Sequence, residues 1–357
     1  MAEAFGGGLM QVVSTIADGQ VARGDAVAIA HGRRPETPED VARRLDRRIE
    51  LVSLPWGRRT PVEQLRAIRA LRALVSSWRP NVVHLHSSFA GVVGVLALDR
   101  SLPSVYTPHG YSFTMHDHGR AGRAAYALVE RFVARRVTAV GAVSDAEAAA
   151  ASRVARARHV VTVPNGIPEL DDPPGAAPGR DAVRPRVIAM GRTDTARRPV
   201  EAARILASVV DVADVEWVGG AGRGGVPVSA VTGQGVHVTG WLPRHEAIER
   251  LRAATACIHW AAWDGRPLSV LEAMAFDVVV VASDIPPLRE LLGPDQLCAS
   301  EPEATALLRR VLTDAAFREG LLADQRRRRA GGGARRMTDD WRAVYTAITT
   351  GFAPTIG

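Results

Sequence analysis

The sequence predicts an α/β chain built as two domains with mainly parallel sheets, and three observations predict it. At 357 residues the chain exceeds one ordinary hydrophobic core. Short, β-branched apolar runs alternate along its length with segments of helical spacing, the pattern of crossover-connected strands buried on both faces. Between residues 168 and 185, Pro, Gly and Asp crowd together with no periodicity, which marks a domain boundary. The expected division is a first domain over 1–168, a linker over 169–185, a second domain over 186–337, and a last helix and tail over 338–357 that returns to the first domain.

Taken in order, Ala4-Phe-Gly-Gly-Gly8 opens on a helix running from Leu9 to Ala22. A glycine turn before a helix lets backbone approach a phosphate or sugar, so Gly7 and Gly8 are candidate binding positions. Only Met1, Ala2 and Glu3 precede this turn, so the strand expected there is nearly absent. Val27–Ala30 and Ile49–Leu54 read as strands, and Pro61–Trp78 as a helix with arginines on its outer face. Asn81–Ser88 ends a strand in His84-Leu-His86, two histidines on one strand face. A metal would need further ligands, for which His116 and His118 are the candidates on paper; their spacing matches no zinc pattern, and no metal is expected. Ser104-Val-Tyr-Thr-Pro-His-Gly110 runs a strand into a sharp turn that presents His109. A helix over Ala124–Arg136, a strand over Ala139–Asp145 that ends in the helix cap Ser144-Asp145, and Val160-Val-Thr-Val-Pro-Asn-Gly166 complete the first domain.

The second domain restarts with the strand Arg186–Met190. Gly191-Arg192 follows, and then Arg197 and Arg198 before a helix at Val200–Val210: cations near a helix start, suited to a diphosphate. Val215–Val218 leads into a Gly-rich loop from Gly219, where Gly220-x-Gly222-x-x-Gly225 fits a dinucleotide fingerprint only literally, since no helix is expected after Pro227. Val236–Val238 reaches the Gly240-Trp241 turn, and Arg244–Ala254 is helical. The strongest signal is the loop and helix of Trp263-Asp-Gly-Arg-Pro-Leu-Ser-Val-Leu-Glu-Ala-Met-Ala-Phe276, set between the strands Ala256–Ala261 and Asp277–Ser283. A loop at the carboxyl end of such a strand faces the ligand crevice, and the helix start behind it offers free N–H groups. Asp264 and Glu272 stand eight positions apart there. Ser269-Val-Leu-Glu272 also reads as a capping box, in which Glu272 only closes the helix.

The whole string, an acid, Gly, x, Pro, then Leu-Glu-Ala-Met-Ala, resembles the acid-x7-Glu motif of the retaining family 4 (group 1) glycosyltransferases. The order of the Gly loop, His-x-His, His-Gly, Asn-Gly, Gly-Arg and acid-x7-Glu resembles that family over nearly the whole chain. The resemblance implies the GT-B arrangement, two Rossmann-like doubly wound domains facing across a cleft. It implies transfer of a sugar from a nucleotide-diphosphate sugar to a hydroxyl of a glycan or polyprenyl-linked acceptor, with retention at the anomeric carbon, in surface polysaccharide or glycoconjugate synthesis. On it, Asp264 contacts the donor sugar, Glu272 the ribose hydroxyls, and His109 the sugar near the reacting carbon. Arg192 and Arg197, the latter in place of the family's Lys with Arg198 as its neighbour, hold the diphosphate. Gly219 lies near the nucleotide, Gly240 and Trp241 near the base, and Gly265, Leu268 and Ser269 line the donor. No metal or other cofactor is required. Pro286-Pro287 stands where the family carries Gly-Gly, which removes backbone donors. Two other readings remain: a nucleotide-sugar epimerase of the same fold, and a non-catalytic donor-binding or partner subunit.

Composition bounds the rest. All 45 basic residues are arginine, and the net charge is +7. Scattered surface charge is the first reading of that excess, contact with anionic lipid the second; no nucleic-acid-binding motif is present. Two cysteines, Cys257 and Cys298, argue against a disulfide framework. With no apolar run of membrane-spanning length and no signal peptide, the expected location is the cytoplasm, with peripheral membrane association on its inner face.

Overall fold

The computed structural model describes residues 1–34, 37–58, 60–115, 118–168, 184–222, 225–329 and 333–351. The linker expected over 169–185 lies outside the described residues but for its last two, as does His116. Two compact units make up the chain, Met1–Pro168 with Gly332–Gly357, and Glu169–Gly331.

The first unit runs α1 (Gly7–Ala22), β1 (Ala28–His31), β2 (Glu50–Ser53), α2 (Pro61–Trp78), β3 (Val83–His86), α3 (Ser88–Ala97), β4 (Ser104–Thr107), α4 (Arg120–Ala134), β5 (Ala139–Ala142), α5 (Asp145–Arg153) and β6 (Val160–Thr162). Strands β3 to β6 pair in parallel, as do β1 and β2. The gap expected in this sheet is filled. Ala2 bridges in parallel to His31 on one side and His86 on the other, with Ala2 N on Ala30 O at 3.0 Å and His86 N on Met1 O at 2.9 Å. Two peptide units suffice there because they sit between strands that supply partners on both edges. The resulting order is the doubly wound one, reversing direction beside Ala2. Leu85, Tyr106 and Val133 are fully buried at its centre.

The second unit contains β7 (Arg186–Met190), α6 (Pro199–Ala207), β8 (Asp214–Val218), α7 (Val228–Thr232), β9 (His237–Val238), α8 (Arg244–Arg252), β10 (Ala256–His259), α9 (Leu268–Ala275), β11 (Val279–Ser283), α10 (Pro286–Arg289), β12 (Leu297–Cys298), α11 (Glu301–Thr313) and α12 (Ala315–Arg329). Its six strands are all parallel in the order β12-β11-β10-β7-β8-β9. Numbered within the unit, that is the Rossmann order, and its switch point falls between β7 and β10. Every residue of β10 and β11 is buried, as continuous apolar runs under helices on both faces require.

Three expectations change here. A helix does open after Pro227, the short α7, because Pro227 takes the N-cap position and the Val-rich turn behind it buries Val231. Pro286 and Pro287 occupy the first positions of α10, where a helix has no internal use for their missing N–H groups, so the pair starts a helix rather than spoiling a loop. The last helix, α13 (Ala334–Thr349), starts four residues ahead of the expected 338. It packs in the first unit: Gln20 Nε2 donates to Thr338 O at 3.2 Å. At position 19 only glycine leaves room for the Thr338 side chain, since a Cβ there would stand 2.4 Å from Thr338 Cγ2.

Candidate functional site

In the second unit, the carboxyl ends of β7 and β10 bring three charged or titratable groups together. Arg197 Nη1 donates to Asp264 Oδ2 at 2.5 Å and to His259 Nε2 at 2.6 Å. His259 Nε2 also lies 3.2 Å from Asp264 Oδ2, so the three side chains meet at one point, and His259 Nδ1 lies 3.5 Å from Ser269 Oγ. The imidazole is buried, and burial first, then the Arg197 charge, push its pKa down to about 4, so it is neutral near pH 7. Burial alone would raise the Asp264 carboxyl; the Arg197 cation and the His259 contact together outweigh it and hold the group well below the usual carboxylate range. Asp264 Oδ1 also accepts from Gly265 N at 2.8 Å, which fixes the loop.

Glu272 is not the capping-box residue. Pro267 holds the N-cap of α9, Leu268 and Ser269 are its first two residues, and no side chain caps it. With proline at the cap, Ser269 already lies inside the helix, too late to cap it. Glu272 is instead 4% exposed and accepts from Arg244 Nη2 at 2.6 Å. Burial pushes its pKa up, and the half-exposed Arg244 opposes that. The start of α9 thus presents backbone N–H groups and a positive dipole end between two carboxylate–arginine pairs.

The arginines separate in role. Arg197 joins Asp264 directly. Arg192 lies more exposed, paired with Asp194 Oδ2 at 3.1 Å, and its stem runs under Gly222, where a Cβ would meet it at 2.9 Å. Arg198 takes a left-handed backbone, φ +41°, at the N-cap of α6. The expected arginine pair is therefore one half-buried cation, Arg197, and one outer cation, Arg192. Along the neighbouring strand ends lie Gly191, Gly219 and Gly240, all with positive φ. Gly219 and Gly240 bridge one another, and Trp217 Nε1 donates to Gly191 O at 2.9 Å. Trp241 is 58% exposed with its Nε1 on Ala221 O, a flat ring held at the rim.

In the first unit, the sheet's carboxyl edge carries a chain of histidines. His109 Nε2 and His86 Nδ1 share a hydrogen bond at 2.9 Å. His86 stacks on His84, ring centroids 3.9 Å apart. His84 is held at both nitrogens, by Tyr345 of α13 at 2.6 Å and by Thr107 at 2.8 Å. Those bonds employ the nitrogens that a metal would need. His118 packs instead against the Tyr126 ring. Burial lowers all three of His84, His86 and His109, the last to about 4. His109 has φ +56° and Ser87, after β3, has φ +83°; side chains are strained in that region, and strain of this kind collects at functional sites. Glu147 fixes the turn by accepting from Gly110 N and Val143 N. Gly7, also at positive φ, and Gly8 begin α1 with open space over Gly7.

His259, Arg244 and Tyr345 carry too little sequence signal to be found as site residues. His259 is legible only as a polar end to an apolar strand, Arg244 as one arginine among 45 basic residues, and Tyr345 sits far along the chain. The arginine run 326–329 is tied internally: Arg326 to Asp277, Arg327 and Arg328 to Asp324, and Arg329 to the Met274 and Ala275 carbonyls.

Two doubly wound α/β units, each with its polar groups at the carboxyl edge by the switch point, define the GT-B class of architecture. Residues 7–166 match the family model of the glycosyl transferase 4-like domain, and residues 230–328 that of the glycosyl transferases group 1. The chain belongs to the group 1 glycosyltransferases. It is 25% identical over 245 residues to a putative teichuronic acid biosynthesis glycosyltransferase, TuaC, of Bacillus subtilis; the match takes in 66% of this chain and spans 61% of that relative's length. Among solved structures, sucrose-phosphate synthase from Thermosynechococcus elongatus aligns with a TM-score of 0.82 at 19% identity, over 98% of this chain and 95% of that one. HepE of Anabaena, solved in complex with UDP and glucose, aligns with a TM-score of 0.76 at 15% identity over 96% of each chain. No described helix is long and apolar enough to cross a membrane.

Proposed function

We propose that the chain transfers a sugar from a nucleotide-diphosphate sugar to a hydroxyl of a glycan or lipid-linked acceptor, with retention at the anomeric carbon. The second unit is the donor side. The observation that carries this reading is the pair of carboxylate–arginine contacts on either side of the uncapped start of α9, Arg197–Asp264 and Arg244–Glu272. A diphosphate offers Arg197 more anionic oxygen than one carboxylate does. On donor arrival Arg197 turns to the diphosphate, with Arg192 outside it and Arg198 beside it, and Asp264 is freed to accept from sugar hydroxyls. Glu272 takes the ribose hydroxyls, and the base lies by Gly219, Gly240 and Trp241. As the anomeric C–O bond breaks, its electron pair goes to the diphosphate, where the arginines stabilise it; the acceptor oxygen forms the new bond and passes its proton to an oxygen of the departing diphosphate. Neutral His109 in the first unit accepts or donates one hydrogen bond to the sugar. The residues present suffice for that chemistry without a metal.

The match to a teichuronic acid enzyme and the HepE complex with UDP and glucose support a UDP-sugar donor and a role in cell-surface polysaccharide synthesis on the cytoplasmic side. A thermal-shift panel of UDP-, GDP-, ADP- and TDP-sugars tests the donor side. A ligand at a hundred times its Kd adds about 2.7 kcal/mol to apparent stability, and Glu272→Ala should abolish the shift. No shift with any member at millimolar concentration would sink the reading. Product analysis of the bound sugar separates transfer from epimerisation, which returns an isomerised donor without acceptor.

A further inference from the structure

Asp264 loses its cation when Arg197 turns to a diphosphate. The Asp264 side chain is only 15% exposed, and a carboxylate left unpaired in so dry a place swings out or takes up a proton. Gly265 N holds Oδ1 but brings no charge and leaves Oδ2 open. His259 stands next to that oxygen. It ends β10 and is buried, so packing fixes its ring. Its Nε2 lies 2.6 Å from Arg197 Nη1 and 3.2 Å from Asp264 Oδ2, the same oxygen that Arg197 holds at 2.5 Å. An arginine nitrogen only donates and a carboxylate oxygen only accepts, whereas one nitrogen of a neutral imidazole carries either a lone pair or a proton. Arg197 and Asp264 therefore make opposite demands on a single atom. Across the ring, Nδ1 lies 3.5 Å from Ser269 Oγ, in the first turn of α9. A hydroxyl donates or accepts, so Ser269 suits Nδ1 in either state.

We propose that His259 is a positioning residue that exchanges Arg197 for Asp264: its Nε2 accepts from Arg197 in the free chain and donates to Asp264 Oδ2 once a diphosphate draws Arg197 away. One proton leaves Nδ1 and one arrives at Nε2 through solvent, which reaches this point because Arg197 and Asp264 keep some exposure. The ring stays neutral throughout. Burial, the larger cause of its lowered pKa, remains when Arg197 moves. Asp264 thus keeps its place and its charge, with its remaining lone pairs open to sugar hydroxyls. His259 itself touches no substrate and acts through Asp264. What Asp264 does for the sugar rests on the donor-site reading above; the exchange rests on the three side chains alone.

Nitrogen NMR of the histidine rings in the full chain tests the exchange without a donor, the His259 signals being those lost in His259→Gln. Nε2 should carry the lone pair in the parent chain and the proton in Arg197→Met. Should Arg197→Met not fold, the parent chain saturated with UDP makes the same comparison. An Nε2 already protonated in the parent, or unprotonated in both, would overturn the proposal. Calorimetric titration with UDP and with UDP-glucose reads the consequence for the site. His259→Leu should weaken UDP-glucose by about tenfold while UDP stays within about twofold, and His259→Gln, whose amide can donate from the Nε2 position, should recover most of the loss. Equal losses for the two ligands would mean that His259 only supports the fold, and UDP-glucose bound as well by His259→Leu as by the parent would mean that Asp264 needs no second partner; either result overturns the positioning role. A parent chain that binds neither ligand counts against the UDP-sugar reading alone, and the ring spectra still decide the exchange.

Discussion

At the scale of single residues, Arg197 decides the electrostatics of the second unit's site. From one nitrogen position its guanidinium compensates the Asp264 charge and adds to the burial that keeps His259 neutral. Removing one partner of such a pair strands the other. Asp264→Ala should therefore cost about 2 kcal/mol in urea unfolding, towards the lower end for a buried pair because both side chains keep some solvent contact. Arg197→Ala should cost a similar amount, and the double variant much less than the sum. Strict additivity in that cycle would mean the contact carries no coupling. The same residue shows how far sequence reaches. Asp264, Glu272 and Arg197 are each legible as positions, because a carboxylate or cation next to a glycine-punctuated helix start has few structural uses. Which carboxylate meets which cation is not legible. Arg197 and Asp264 are 67 residues apart and meet only because β7 and β10 are neighbours at the switch point. Glu272 finds Arg244 through a helix packed beside the same edge.

At the scale of elements, the loops after β7, β8 and β9 depend on glycine for two different reasons, and substitution separates them. A Cβ on Gly219 would stand 2.1 Å from Gly191 O in addition to its positive φ, whereas Gly240 has nothing within 4 Å and only its φ of +75° to protect. Gly240→Ala should lower stability by about 1 kcal/mol, the cost of a left-handed alanine. Gly219→Ala must also move the β7 loop, so it should cost at least about 2 kcal/mol more and should disturb the Trp217–Gly191 hydrogen bond, read from melting curves and tryptophan fluorescence. Equal losses would show that the close approach is not strained by a methyl group. The elements themselves were legible in proportion to their periodicity. Pro61–Trp78 and Arg186–Met190 match their expected limits because one has an amphipathic face with a proline start and the other a bounded apolar run. Helix α3 carries no such pattern; Ser88–Ala97 is small and apolar on all sides, packed so closely that Gly94 leaves room for Leu85. The capping box failed for the same reason in reverse: the motif fits the letters, but Pro267 starts the helix first.

At the scale of the whole molecule, buried histidines set how the chain responds to acid. His31, His84, His86, His109 and His259 are all lowered, chiefly by burial, His109 and His259 to about 4. A ring whose folded pKa lies below its unfolded value near 6.5 binds protons more readily when unfolded. Stability from these rings is complete above about pH 6.5 and is lost as the pH falls towards 4. Asp18, Glu130 and Glu272 are raised by burial and act in the opposite sense, regaining some stability as they protonate, while the buried Met1 amino group, pushed down to about 5, acts in the same sense as the five rings. Asp264 contributes nothing to this window, because its depressed pKa defers its loss to stronger acid. For His259 the difference amounts to about 2 kcal/mol at pH 5. Four of the five rings lie in the first unit and one in the second, so the two units should separate in acid. Between pH 7.5 and pH 5 the melting temperature of the first unit should fall further than that of the second. Calorimetry at the two pH values, with His84→Gln to remove one ring, reads this directly. A second unit that melts first in acid, or two transitions that move together, would show that the histidine edge of the first sheet does not carry the acid sensitivity.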